Sequence, residues 1–367
     1  MNGSWRLLAD DGVGAAEGLA LDEALMGRYA RGGPDGAPTL RLYSYRDHCA
    51  LVGRYQNLEA EIDLAACRRT GTEVNRRPTG GGAIIMGSGQ LGIAYLDQAP
   101  VGERPREILE AFSAALAAGL GRLGVTANFH GKNDLEVAGR KIAGLGLFVD
   151  PAGAMLFHAS VLADLDVELM VQLLRIPAAK LADRALAAVS ERVTTVTAET
   201  GTRHDAETLR PAIAAGFATT FGVVLEPGTP DGEERARAEA LVRDRYRSRS
   251  WLSERSATAD TSGSALLKTP AGLVRIYLTT HGGVVKSALV VGDFNELPPP
   301  LSALESGLRW RRLDHAAVAA VIEFSGAAVA LGVPAERLVA AVIEAGRQAD
   351  ETTTPGDAAP RLASEPS

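Results

Sequence analysis

The stretch Arg76–Met86, RRPTGGGAIIM, constrains this chain more than any other. Two permanent positive charges precede three consecutive glycines, and an apolar run follows at once. Glycine has no Cβ and tolerates positive φ, so the run suits a plain loop or a bare backbone edge that a slender ligand can approach. A phosphate-binding P-loop is excluded, because Ala83 and Ile84 stand where that motif needs a lysine and a hydroxyl. A dinucleotide fingerprint fails too: the glycine spacing is wrong, and a strand follows rather than a helix. In the ligand-facing reading the loop's amides meet an anionic group, and Arg76 and Arg77 supply charge for a phosphate or carboxylate. An acyl chain ending in an activated carboxyl suits such a cleft.

A length of 367 residues exceeds one ordinary core and predicts two domains. With 46% hydrophobic and 23% charged residues the chain reads as globular, with aliphatic surface for two cores. No run of eighteen apolar residues occurs, and MNGSWRLLADDG lacks the order of a secretory signal, so a cytoplasmic protein without membrane contact is expected. Two cysteines, Cys49 and Cys67, fit a reducing compartment and exclude a disulfide framework. A net charge of −7 argues against a general nucleic-acid binder. Only five of the 38 basic residues are lysines, and two of them, Lys132 and Lys141, lie close together. That clustering points to sites where a compact ammonium serves better than a guanidinium fork.

AAEGLALDEALMGRYARGG reads as a helix closed by glycines, TLRLYSY and CALVGRY as alternating strands, and EIDLAACRRTG as a short helix ended by Gly71. AIIM and LGIAYLD, separated by GSGQ, read as a hairpin. Pro105 to Leu123 is helical; DLEV and RKIAGLGLFVD flank a two-residue turn at Ala138-Gly139, and AMLFHASVL follows DPAG. Asp166 to Arg175 is helical up to the break at Pro177, and another helix runs from about Thr208 to Phe221. Such short connections predict an α+β fold with a mixed, largely antiparallel sheet flanked by helices. EPGTPDGEE marks the boundary, giving a catalytic domain over 1–227, a linker over 228–236, a small α+β domain over 237–350 and a disordered tail over 351–367. In the small domain, Glu233 to Arg249 reads as a charged helix, and strands flank Gly282-Gly283.

The order GLALDEAL, LVGRYQN, RRPTGGGAIIM, GKNDLEVAGRKIAG and FHASVL resembles the lipoate-protein ligase family of the biotin/lipoate ligase superfamily. The resemblance spans roughly residues 5 to 200, and the stretch from about Gly272 to Asp293 looks like the family's C-terminal accessory domain. It implies a class II synthetase-like catalytic domain that uses ATP and Mg²⁺ to form lipoyl adenylate and then acylates a lysine of an acceptor. The acceptors it implies are lipoyl domains of 2-oxoacid dehydrogenases and the glycine-cleavage H-protein. Movement of the accessory domain between the two half-reactions is a further implication.

Lys141, in GRKIAG, matches the family's essential lysine, which offsets charge at the lipoate carboxylate and the adenylate phosphate. Asn133 and Asp134 match the pair that positions the nucleotide, with Asp134 as the Mg²⁺ ligand. Against this stands an ordinary Asx turn before a strand. Arg76 is the expected ligand-facing arginine, with Arg77 supporting the loop; Gly80, Gly81, Gly82 and Ala83 line the acyl slot, with Thr79 near its carboxyl end. Gly144 belongs to the lysine motif, and His158 and Ser160 match a segment near the reacting carbonyl. Lys132 stands where many relatives carry arginine, facing either a phosphate or plain solvent.

Three positions depart from the family pattern: Pro78, Met86 and Leu145. Met86 replaces a histidine, which removes a polar contact and leaves the preference between lipoate and octanoate open. Two alternatives share the fold. One is an octanoyl or lipoyl acyltransferase working through a cysteine thioester, for which neither Cys49 nor Cys67 is well placed. The other is a noncatalytic lipoate-binding protein.

Overall fold

The computed structural model describes residues 3–30, 36–131, 133–175, 189–257, 261 and 263–353. It divides into two compact units, Met1–Glu254 and Arg255–Ser367. The first contains β1 (Ser4–Val13), β2 (Thr39–Tyr45), β3 (Cys49–Val52), β4 (Glu73–Arg76), β5 (Ile84–Met86), β6 (Gln90–Gln98), β7 (Asn128–His130), β8 (Asp134–Val137), β9 (Arg140–Val149), β10 (Ala154–Leu162) and β11 (Val224–Pro227). Eight of these form one sheet in the order β11-β1-β2-β6-β10-β9-β8-β7, and β4-β3-β5 form a smaller one. In the large sheet β1 runs parallel to β2 and β11, and the other pairings are antiparallel. The fold is therefore α+β with a largely antiparallel sheet, as the short connections predict.

Helices cover both faces of the large sheet, which is why all seven residues of β2 are buried. Leu40 and Leu42 point into a core with Trp5, Tyr95, Phe112, Phe157 and Phe217, beneath the helices Pro105–Gly121 and Ala206–Phe221. Tyr43 and Tyr45 point the other way, toward the helix Ala15–Met26. The period-2 pattern of TLRLYSY thus alternates between two buried layers rather than between core and water. Arg41 on this strand is buried as a pair: its Nε donates to Asp10 Oδ2 at 2.7 Å and its Nη1 to Asp22 Oδ1 at 2.6 Å. The acid of GLALDEAL is therefore a scaffold group.

Three expectations need correction. β5 and β6 do not pair as a hairpin: β5 joins β3 in the small sheet, β6 lies between β2 and β10, and GSG carries the chain from one sheet to the other. The linker expected at 228–236 is instead part of the first unit. Asp231 caps the helix Gly232–Leu241, which packs on Ala15–Met26, and Arg6 grips Glu234 with two hydrogen bonds of 2.9 and 2.6 Å. The charged helix is broken as well, into Gly232–Leu241, a π turn at Val242–Tyr246 and a short helix at Arg249–Leu252.

The second unit holds an antiparallel sheet of β12 (Gly263–Thr269), β13 (Gly272–His281) and β14 (Val284–Gly292), with helices at Pro299–Leu308, His315–Ser325, Ala327–Leu331 and Ala335–Thr353. Gly282 and Gly283 turn the β13–β14 hairpin with φ of 58° and 71°. The last helix runs through 351–353, the start of the expected tail; residues 354–367, Pro177, Lys132 and the glycines expected to close the first helix lie outside the described residues. Among the described residues no helix is long and apolar enough to cross a membrane.

Candidate functional site

β4 runs parallel to β3 and ends at Arg76, where the chain enters the glycine loop. Arg76 is not the ligand-facing arginine. Its side chain is fully buried, with Nη1 donating to the carbonyls of Gly53, Arg54 and Gln56, Nε to Trp251 O and Nη2 to Leu252 O. Trp251 returns a bond from its indole Nε1 to Arg76 O at 3.0 Å. Arg76 therefore ties together the Gly53–Gln56 turn, the loop entrance and the chain just before the second unit.

Arg77 supports the loop as expected, from inside. Its Nη2 donates to Gly80 O at 3.1 Å and Gly82 O at 2.8 Å, and its Nη1 to Leu51 O at 2.8 Å. With those carbonyls turned onto Arg77, the amides of Gly80, Gly81 and Gly82 have no partner among the described residues. Gly81 adopts φ of 91°, and a Cβ on Gly53 would lie 1.9 Å from Gly81 O, so LVG of the earlier motif exists to let two backbones touch. The Thr79 hydroxyl oxygen is buried without a partner among the described residues. Ala83 is half-buried against the small-sheet core.

Ala138 and Gly139 close the β8–β9 turn with φ of 49° and 78°, a pair of left-handed residues that fits a tight hairpin. The register then puts Asp134, Gly144 and Ser160 in one row across β8, β9 and β10, with Gly146 and His158 in another row of the β9–β10 pair. A bulge after Leu135 sets Lys141 opposite Glu136 and lets its side chain reach back over Gly144. Lys141 Nζ sits 2.6 Å from Asp134 Oδ1, so the two groups form an ion pair on this face. Both side chains are about one-third exposed, at 35% and 33%. Asn133 acts as a prop: its Nδ2 donates to Leu145 O at 3.2 Å. The Ser160 hydroxyl is half-buried.

The sequence reading missed Gly146. A Cβ there would lie 2.3 Å from His158 Nε2, as one on Gly144 would lie 3.0 Å from Lys141 Nζ. Two glycines spaced by two in an apolar strand, AGLG, were the available signal, since they clear one face for large polar side chains. Leu145 between them points into the core, and Met86 is likewise buried, so neither departure lines this face.

Burial, and then the charge of Arg77, push His158 down to about 3 from an ordinary 6.5. The ring is therefore neutral at physiological pH. Burial also pushes Arg77 down to about 10, which leaves it a cation there. The sign of the stability effect follows from the depressed value: the contribution is complete above pH 6.5 and is lost as pH falls from 6.5 toward 3. His158→Asn should flatten the pH dependence of unfolding free energy over that window by up to about 1.4 kcal/mol per pH unit. Urea titrations at several pH values measure this; identical slopes in both proteins would mean the ring is not held neutral.

The two thiols lie elsewhere in function. Cys49 on β3 and Cys67 in the helix Leu64–Thr70 are 1% and 2% exposed. Burial, and next Glu73, push Cys49 well above its ordinary value; burial, and next Asp63, raise Cys67.

Comparison with solved structures places the fold among lipoate ligases. The bi-partite lipoate protein ligase of Thermoplasma acidophilum, described together with its E2 lipoyl domain, matches with a TM-score of 0.63 at 26% identity, over 70% of this chain and 98% of that one. A lipoate-protein ligase A bound with ATP matches with a TM-score of 0.59 at 26% identity, over 69% of this chain and 98% of that one. Residues 14–218 match the family model of the lipoyl protein ligase A/B catalytic domain, and the chain belongs to that family. Named relatives include the octanoyltransferase LipM of Symbiobacterium thermophilum, 31% identical over 68% of this chain and 98% of the relative. Lipoate-protein ligase A subunit 1 of T. acidophilum is 29% identical over 64% of this chain and 90% of the relative. The family thus contains both ligases and acyltransferases.

Proposed function

We propose that this enzyme is an ATP-dependent lipoate-protein ligase, joining lipoate to AMP with release of pyrophosphate and passing the lipoyl group to a lysine of an acceptor lipoyl domain. The state of the sulfur carries this reading over its rival. Transfer through a thioester needs a thiolate within reach of substrate. The chain has two cysteines, and both are buried with thiols held protonated. Without a thioester, a free acid is activated by making its carboxyl a mixed anhydride with phosphate. The likeness to a ligase bound with ATP supports that route. The octanoyltransferase relatives favour the rival, which would have to work without either buried thiol.

In this reading the Lys141 ammonium offsets negative charge that builds up as the carboxylate attacks the α-phosphorus. The amides of Gly80 to Gly82 and the Thr79 hydroxyl, unpartnered among the described residues, would meet the acyl end, and Ser160 and neutral His158, on one strand, would serve near the reacting carbonyl. No group of three His, Cys, Asp or Glu side chains forms a metal cage among the described residues. Mg²⁺ carried on substrate phosphates needs only one or two protein carboxylates, and the part-exposed Asp134 carboxylate, now paired with Lys141, would be the one to hold it. When bound, the ion would neutralise phosphate charge. The expected acceptors are the lipoyl domains of 2-oxoacid dehydrogenases and the H-protein, met in the cytoplasm.

The test is lipoate-dependent exchange of pyrophosphate into ATP by a Cys49→Ala, Cys67→Ala protein. Activity should stay within about twofold of the parent, since no covalent intermediate is lost. No exchange by the parent protein, together with octanoyl transfer from an acyl carrier to an apo acceptor, would establish the transferase instead; loss of that transfer in the double variant would show that a buried thiol takes part after all.

A further inference from the structure

The last rung between β9 and β10 joins Ala143 to Val161, so Lys141 lies beyond that ladder. On the other side of β9 the bulge after Leu135 interrupts the ladder with β8. A bulge re-aims a side chain but leaves its strand less well paired. Residues 192–194 supply the partner instead: Lys141 N donates to Arg192 O at 2.8 Å, Thr194 N donates to Lys141 O at 2.8 Å, and Val193 lies opposite Lys141 in a parallel bridge. Both main-chain groups of Lys141 are therefore satisfied by this one segment. Glu199 fastens the segment to the strand. Its Oε1 accepts from Thr194 Oγ1 at 2.5 Å and from Arg140 Nη2 at 2.7 Å. One carboxylate oxygen thus grips the residue bonded to Lys141 O and the residue that precedes Lys141 in the chain. Thr194 is buried and the Glu199 side chain is 18% exposed, against 40% for Arg140, so the arm to Thr194 is the better shielded of the two. Glu199 is itself held by the short helix Val196–Thr200, which Thr195 caps through Ala198 N at 3.1 Å and Val196 seats in the core.

We propose that Glu199 is a positioning residue for the activation step: through Thr194 and Arg140 it clamps the main chain at Lys141, which holds the ammonium over Gly144 beside Asp134. A lysine side chain is long and flexible, so it delivers its charge to one place only when its own backbone is fixed by supporting bonds. A misplacement of about 1 Å at a reacting group can cost on the order of 10²-fold in rate. What Lys141 does in the reaction rests on the ligase reading; the clamp itself rests on the bonds at Thr194 and Arg140. A group that acts through Lys141 loses its effect once Lys141 is gone, whereas a group that merely supports the fold does not.

Glu199→Ala in the full chain should lower kcat for lipoate-dependent pyrophosphate exchange by about tenfold or more and leave KM for lipoate and ATP within about twofold. Thr194→Val, which removes only the buried arm, should lower kcat in the same direction, and Glu199→Gln, which keeps an acceptor oxygen for both donors, should recover most of the rate. Lys141→Ala/Glu199→Ala should exchange pyrophosphate no more slowly than Lys141→Ala alone. Deuterium uptake at the Lys141 and Thr194 amides should quicken in Glu199→Ala and in Thr194→Val while the β6–β10 ladder stays protected, whatever reaction the protein performs. Equal protection of the two amides in the parent and both variants would overturn the clamp. Faster uptake with kcat unchanged, or equal losses of rate with and without Lys141, would overturn the positioning role and leave the ligase reading intact. A parent that exchanges no pyrophosphate would sink the ligase reading and the positioning role together, and the amides would still decide the clamp.

Discussion

Lys141→Ala should lower lipoate-dependent pyrophosphate exchange by about 10²- to 10³-fold, the usual loss when a preorganised charge at a transition state is removed. Stability should barely change, because the pair that Lys141 makes with Asp134 is one-third exposed and such pairs contribute about 0–1 kcal/mol. The effect has two parts. The alanine protein loses the cation that offsets the attacked phosphate, and it leaves Asp134 as an uncompensated negative charge on the same face. Lys141→Arg should recover little, since the fork must occupy the space over Gly144 where Nζ now lies 3.0 Å from an ideal Cβ position. Exchange rates at saturating ATP and lipoate, with circular dichroism melts alongside, measure both halves. An alanine protein exchanging at a rate close to that of the parent would remove Lys141 from the reaction.

Arg76→Met should destabilise the first unit by several kcal/mol, on the order of 1–3 kcal/mol for each buried carbonyl left without a donor. Carbonyls of Gly53, Arg54, Gln56, Trp251 and Leu252 lose the Arg76 donor together; Gly53 O keeps the amide of Gln56 and Trp251 O that of Glu254, and the others are left short of a partner. Arg76→Lys should rescue only part of this, because an ammonium cannot reach three backbone segments at once. Urea unfolding followed by tryptophan emission reads the loss, as Trp251 is both buried and bonded to Arg76. A midpoint equal to the parent's would mean that the five bonds are replaceable.

The family and the α+β class were legible from the order of short segments along the chain. The roles of Arg76 and Arg77 were not. Adjacent residues at a strand end point to opposite sides, and which side holds ligand depends on where residues 251 and 252 return, some 175 positions later. The unit boundary failed for a similar reason: PGTPDGEE has the composition of a linker, yet Asp231 is a helix cap and Glu234 meets Arg6 across 228 positions. The GSGQ turn misled because both flanking strands were apolar, and two buried strands in different sheets look like two strands of one hairpin. Long-range pairing decided each case, and short windows of sequence carry little of it.

The bond between Arg76 and the backbone at Trp251 and Leu252 has a bearing on how the chain can be divided. Domain shuffling tends to cut where composition is loosest, which here is the proline- and glycine-rich stretch near residue 228. A fragment severed there would keep every motif residue but strand a guanidinium in the interior without its acceptors at Trp251 and Leu252. A cut that keeps the first unit whole therefore has to spare the chain through Glu254, since residues 232–254 fold with the catalytic half.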